Sequence, residues 1–312
     1  MESRELVKGL YDFHIHPGPD PYARVADAIE IVQLARNAGM GGVVFKVYEF
    51  MTGQLATLLQ HHHPGIGVIG SVCLEGAVGG INPRAVEMAA RAGAKVVWLP
   101  ALDSEWNHVM AARYQAEKRS TVTHLDGLRN RADTRRSLTP VRDGKVTSEA
   151  LEVFKLAGEA DMVIQSGHLN EDHRELVVEA AVGQGVKKFV FTHSNASWNY
   201  VSIEQHRRLS QYPIVYFEYC VMPLLPWVDN QPPSVMVDMI RSVGPERAVL
   251  GTDSGVSWSQ KGLMNPYPVE GLAALVGTLK LQGFSDAEIQ LMGRHNPRRL
   301  LDLDGEGTTP RK

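Results

Sequence analysis

The sequence predicts an α/β fold, a closed (β/α)8 TIM barrel in a single domain over residues 1–312 with a long insertion after the fourth strand. Three observations carry that prediction. Eight apolar runs of strand length alternate with stretches of helical periodicity. The polar, chemically active side chains fall at the carboxyl ends of those runs, where barrel enzymes build their sites. No internal repeat suggests a solenoid instead.

The first run is Asp12-Phe13-His14-Ile15-His16, stopped by Pro17-Gly18-Pro19. Helical spacing over residues 25–38 closes on Gly39, and residues 42–47 read as a buried second strand. A helix near residues 54–61 leads to the apolar run 66–74; a helix over 82–92 leads to 94–99. Residues 101–148 break the rhythm, being polar and arginine-rich with the turn signal Arg142-Asp143-Gly144-Lys145, and read as a long lid-like loop. Arg113, Lys118, Arg119, Arg129, Arg131, Arg135 and Arg136 in it can meet an anionic substrate, although such runs are more often simply solvated. Helices over 149–159, 171–182 and 203–209 then separate strands 161–168, 187–193 and 214–219, and residues 248–255 make the eighth. Single helices between consecutive strands imply parallel βαβ units.

Composition narrows the function classes. The chain has 312 residues, 44% apolar and 21% charged, enough to bury a full core. Its net charge of -3, from 32 basic and 35 acidic residues, offers no field for nucleic acid or an acidic membrane, so the expected partner is a small molecule. Residues 1–10 lack the apolar core of a signal peptide and no run of about 18 apolar residues occurs, which leads to a cytoplasmic expectation. Cys73 and Cys220 lack the spacing of a thiolate site or a disulfide framework. His61, His62 and His63 read as the exposed end of a helix, where partial positive charge suits the dipole.

In a strand, His14 and His16 share one face with Ile15 on the other. Two imidazoles so placed can hold one divalent cation at about 2.0–2.1 Å, or can be a solvated edge pair. Taken singly, His168 and His193 also have bland readings as capping or core residues. Together with His14, His16, Lys46 and Asp253 they put six ligand-type residues at strand ends, which packing alone does not explain. Tyr48, Trp106, His108 and Trp258 also follow strand ends and can touch substrate. Glu218 in the seventh strand and Trp227 are also expected to touch substrate, and the apolar loop from Val221 to Trp227 can line a pocket, pack, or meet another subunit in a homo-oligomer.

With these residues in place, the chain resembles the amidohydrolase superfamily of metal-dependent hydrolases: His-x-His on strand one, single histidines ending strands five and six, and an aspartate ending strand eight. Asn296-Pro297-Arg298-Arg299-Leu300-Leu301 is similar to the superfamily's Asn-Pro-Ala-x-x-Leu helix, and Gly79-Gly80-Ile81-Asn82-Pro83-Arg84-Ala85-Val86 with Val96-Val97-Trp98-Leu99-Pro100 resembles an uncharacterised, amidohydrolase-related bacterial family. The resemblance implies one metal on His14, His16 and Asp253. It implies a second on His168 and His193 or, in mononuclear relatives, one ligand and one catalytic group there. Many binuclear members carry a carboxylated lysine on strand four, but here the only lysine of that strand, Lys95, is at its wrong end. Lys46 is the substitute, as a carboxylated bridge, as an ion-pair partner of Glu49 or Glu218, or as an amine bonding substrate.

The activity implied is hydrolysis of an amide, lactone, ester or related small-molecule bond by metal-activated water, with Asp253 handling the proton and His193 helping to polarise the scissile group. Zinc suits imidazole and carboxylate donors best; manganese, iron and nickel also fit that ligand type. A phosphoesterase of the polymerase-and-histidinol-phosphatase type is the rival enzyme, but those close with Asp-x-His where this chain has Asp253-Ser254-Gly255. A metal-free binding barrel is the rival outside catalysis.

Overall fold

The computed structural model describes residues 3–116, 137–255, 257–258 and 263–303. Its strands are β1 (Tyr11–Ile15), β2 (Gly42–Phe45), β3 (Gly67–Ile69), β4 (Ser71–Cys73), β5 (Val96–Trp98), β6 (Val141–Arg142), β7 (Lys145–Val146), β8 (Val163–Gln165), β9 (Phe189–Phe191), β10 (Val215–Cys220), β11 (Ala248–Gly251), β12 (Ser257–Trp258) and β13 (Leu263–Met264). One parallel sheet runs β1-β2-β3, and another runs β11-β10-β9-β8-β5-β4. β6 with β7 and β12 with β13 are short antiparallel pairs.

Two junctions relate the sheets. The expected single strand over 66–74 is two pieces, because Thr52 wedges in between: its N–H donates to Ser71 O (2.9 Å) and its Oγ1 accepts from Ser71 N (2.8 Å). Gly70 makes room, since a Cβ there would stand 2.6 Å from Thr52 O. At the other junction β1 lies parallel beside the end of β11, with Asp253 N donating to His14 O (2.9 Å) and His16 N to Ser254 O (2.8 Å).

The helices expected over 25–38, 54–61, 82–92, 149–159, 171–182 and 203–209 form within a few residues of those bounds, Pro233–Val243 and Pro268–Leu281 are further helices, and several start on side-chain caps. Asp27 caps Ala28–Asn37, Asn82 caps Pro83–Arg91, and Ser202 caps Ile203–Leu209, each side chain accepting an N–H of the first turn. His61 and His62 close Gly53–His62 as exposed residues. Apolar faces of these helices cover the outer side of the strands, where Val43, Phe45, Val97, Ile164, Phe191, Phe217 and Leu250 meet Ile31, Val86, Phe154, Val178 and Ile240 in one cluster. Alternate residues, Phe13, Val44, Ile69, Cys73, Val96, Trp98, Val163, Val190, Tyr216 and Val249, come from every strand of both sheets. They form a second cluster with Leu300 and Leu301. Burial of this apolar floor contributes to stability at about 25 cal/mol per Å² of apolar surface.

The stretch after β5 differs from the loop expected there. It holds a helix, Glu105–Ala116, and the β6–β7 pair. The helix has no apolar stripe for the sequence to show. Arg113 is exposed, whereas Lys118, Arg119, Arg129, Arg131, Arg135 and Arg136 lie outside the described residues, as does the side chain of Trp258. No helix among the described residues is long and apolar enough to cross a membrane.

Candidate metal centre

Strict alternation along β1 would send His14 and His16 the opposite way from Tyr11 and Phe13, which fill the floor. The register instead shifts between Asp12 and Ile15. That irregularity puts Ile15 among the helices while both histidines join the floor side, the re-aiming that bulges beside active sites provide. Asp12 secures it by accepting from His14 N (3.2 Å), Thr252 N (2.9 Å) and Thr252 Oγ1 (2.6 Å). Burial pushes the Asp12 carboxyl up to about 8, against those hydrogen bonds.

Three donor atoms then converge. His14 Nε2 is 3.2 Å from His16 Nε2 and 3.2 Å from Asp253 Oδ1, and His16 Nε2 is 3.0 Å from the same oxygen. Two donors about 2.1 Å from a shared cation and about 90–110° apart stand about 3.0–3.4 Å from each other, so the triangle fits one metal ion. Beside it His168 Nε2 lies 3.2 Å from His193 Nε2, and the rings of His14 and His193 stack at 5.8 Å. Both His193 (φ 28) and Asp253 (φ 55) hold left-handed backbone, a conformation that side chains with a Cβ adopt at a cost and that clusters at functional sites. His168 is set by Gly167, where a Cβ would meet Leu99 O at 2.2 Å.

Glu218 ties the two histidine pairs together. Its Oε2 lies 3.0 Å from His14 Nδ1 and accepts from His193 N (2.9 Å), while Oε1 accepts from Gln165 Nε2 (3.2 Å). As a carboxylate it holds the proton on Nδ1 and leaves the Nε2 lone pair for a cation. Asn107 does the same for His168: its Oδ1 is 3.0 Å from Nδ1, and its amide nitrogen donates to Leu102 O (3.1 Å). Burial raises the Glu218 and Asp253 carboxyls to about 7, with the charge of Lys46 opposing it in both.

The Lys46 ammonium is buried, 4.4 Å from the Trp98 ring centroid and 5.1 Å from that of Tyr48. It makes no ion pair or hydrogen bond to any described residue, and Glu49 accepts instead from Tyr22 OH (3.1 Å). Tyr48 OH lies 3.4 Å from His16 Nε2. Around this end an apolar cluster gathers Tyr48, Leu102, Trp198 and Met222, with Trp106 and Trp227 packed against it. Trp106 Nε1 donates to Trp198 O (3.1 Å). His108 is half-buried on the same helix as Asn107 and stands outside that cluster.

Glu218, expected to touch substrate, is fully buried and bonds His14 Nδ1 and His193 N. Asn107, Asp12, Gln165 and Glu75 escape sequence reasoning, because each acts through a partner distant in the chain. Glu75 accepts from Ala101 N (2.7 Å), Leu102 N (3.0 Å) and Asp103 N (2.8 Å), which fixes the approach to the helix bearing Asn107.

Solved structures of similar fold include an amidohydrolase, an organophosphorus hydrolase and a metallopeptidase. An amidohydrolase from Pseudomonas aeruginosa aligns with TM-score 0.63 at 12% identity, covering 96% of this chain and 98% of that one. Organophosphorus hydrolase from Deinococcus radiodurans gives 0.58 at 13%, covering 96% and 94%, and the metallopeptidase dipeptidase AC gives 0.57 at 13%, covering 95% and 98%. At such identities the likeness is one of fold. No curated protein matches the sequence. Residues 9–218, including the motifs Gly79 to Val86 and Val96 to Pro100, match a family model, and the chain belongs to that family, described as the family of unknown function DUF6282.

Proposed function

We propose that this protein is a metal-dependent hydrolase with a closed (β/α)8 barrel, acting on an amide, lactone, ester or related bond of a small molecule. The observation that carries the reading is the triangle of His14 Nε2, His16 Nε2 and Asp253 Oδ1, with edges of 3.0–3.2 Å, beside the His168–His193 pair. These residues would hold one or two divalent ions, zinc first by ligand type, with manganese, iron or nickel also suited. When bound, such an ion supplies Lewis acidity and lowers the pKa of water from 15.7 to about 7.

The chain's own residues do the rest. The Asp253 carboxylate takes the proton of the attacking water and delivers it to the leaving group. His193 reaches the polarised oxygen of the scissile group. Tyr48, Trp106 and Trp227 wall the mouth, exclude water and seat the substrate, with His108, half-buried on the helix that carries Trp106, as a further substrate contact.

Lys46 has two roles in this reading. Carboxylated, it offers two anionic oxygens to bridge ions about 3.5–4 Å apart. As an ammonium it contacts substrate, and the faces of Trp98 and Tyr48 favour this form, since ring faces attract cations and repel carboxylates. Added bicarbonate should raise metal loading and activity only if the carbamate forms.

Metal analysis of protein purified without chelator tests the proposal. One or two equivalents of transition metal are expected, and the double variant His14→Ala/His16→Ala should carry none at His14, His16 and Asp253. Full metal content in that variant would sink the assignment.

A further inference from the structure

Lys46 is 1% exposed, and its Nζ finds no oxygen partner among the described residues. Two aromatic faces and the charges of Glu218 and Asp253, neither within ion-pair reach of Nζ, offset only part of the cost of taking an ammonium out of water, and an anion bonded directly to Nζ would offset the rest. The position is fixed from both sides: Lys46 N donates to Ile15 O (2.8 Å), and the side chain lies over Trp98, which also packs on His14 at 4.6 Å between ring centroids. A second cation stands on the same tyrosine. The Arg24 guanidinium, from the segment after β1, is 5.7 Å from the Tyr48 ring centroid, and its side chain is 4% exposed. Asp20 takes Nη2 at 3.0 Å, whereas Nε is buried with no partner among the described residues. Both charges act on Asp253, and Tyr48 OH is 3.4 Å from His16 Nε2, so an anion held here lies next to the metal-type cluster.

We infer that the substrate carries an oxyanion, a carboxylate or a phosphate, and that Lys46 anchors it with Arg24 reinforcing the field around Tyr48. The inference rests on the hydrolase reading for its purpose, since the anchored group presents its neighbouring bond to His14, His16 and Asp253. Buried donors of this kind discriminate strongly, because a substrate lacking the anion leaves them unpaired.

The test is isothermal titration of the metal-loaded protein with succinate and, separately, inorganic phosphate, on wild type, Lys46→Met and Lys46→Gln, with metal content measured on each sample. One of the two anions should bind wild type saturably, and which one does names the group. Both variants should bind it weaker by about tenfold or more with metal content unchanged. If Lys46→Met does not fold, Lys46→Gln alone decides. Unaltered affinity in a folded variant, or no binding of either anion to wild type, overturns the inference. Loss of metal together with anion affinity also overturns it, and assigns Lys46 to the metal. A wild type without metal that still shows Lys46-dependent binding would defeat the hydrolase reading and leave the anion site standing.

Discussion

The two ends of the strand set are made by the same strands and share almost no chemistry. At one end Phe13, Val44, Val163, Tyr216 and Val249 pack with Leu300 and Leu301. One or two residues further on, the same strands carry His14, Lys46, Gln165 and Glu218, all buried. Trp98 is the divider: it belongs to the floor cluster, yet the His14 ring lies 4.6 Å from its ring and the Lys46 amine 4.4 Å. The contrast teaches that the apolar core and the polar cluster are set apart along the strand direction, although both sit on a single inner face.

The hardest test of that separation is His14→Ala/His16→Ala. Activity should fall to background while urea unfolding remains cooperative, because the floor is untouched; unfolding of the purified variant would show that the ends are not separable. The converse is Phe13→Ala, expected to cost about 3–5 kcal/mol in urea titration with the metal stoichiometry retained.

A third variant reads the outer shell. His206, stacked on Phe217 at 4.2 Å, donates Nδ1–H to Ser202 O, and burial lowers its pKa from 6.5 to about 4. The unfolded chain therefore binds the proton first as pH falls, so His206 stabilises fully above pH 6.5 and loses that contribution as pH drops toward 4. His206→Leu should flatten this acid loss, by up to about 3 kcal/mol, in denaturant titrations at pH 7 and pH 4.5.

Smallest in energy is Glu218→Gln, which keeps the shape but weakens the hold on His14 Nδ1. Metal affinity in chelator competition should fall about 10–100-fold with little change in unfolding. An unchanged affinity would return Glu218 to a role toward substrate.

The strand runs were legible because a parallel sheet buried on both faces reads as continuous apolar sequence. The phase of Val44 and Lys46 was legible too: Val44 lies in the floor cluster and Lys46 follows it inward. For His14 and His16 the shared face was readable, but the register shift that turns it away from the helices was not, since no residue type announces it. The helix Glu105–Ala116 was hidden by its lack of periodicity, and with it Asn107. The left-handed backbone at His193 and Asp253 leaves no trace in residue type either.

Asn107 has a bearing on engineering. Its amide sets the ring of His168 from a segment that comparison of barrels would treat as an exchangeable decoration. Trimming or grafting residues 101–148 would alter the setting of the His168 ring without touching His14, His16, His168, His193 or Asp253, so recombination points belong outside the unit formed by Glu75, the helix Glu105–Ala116 and His168.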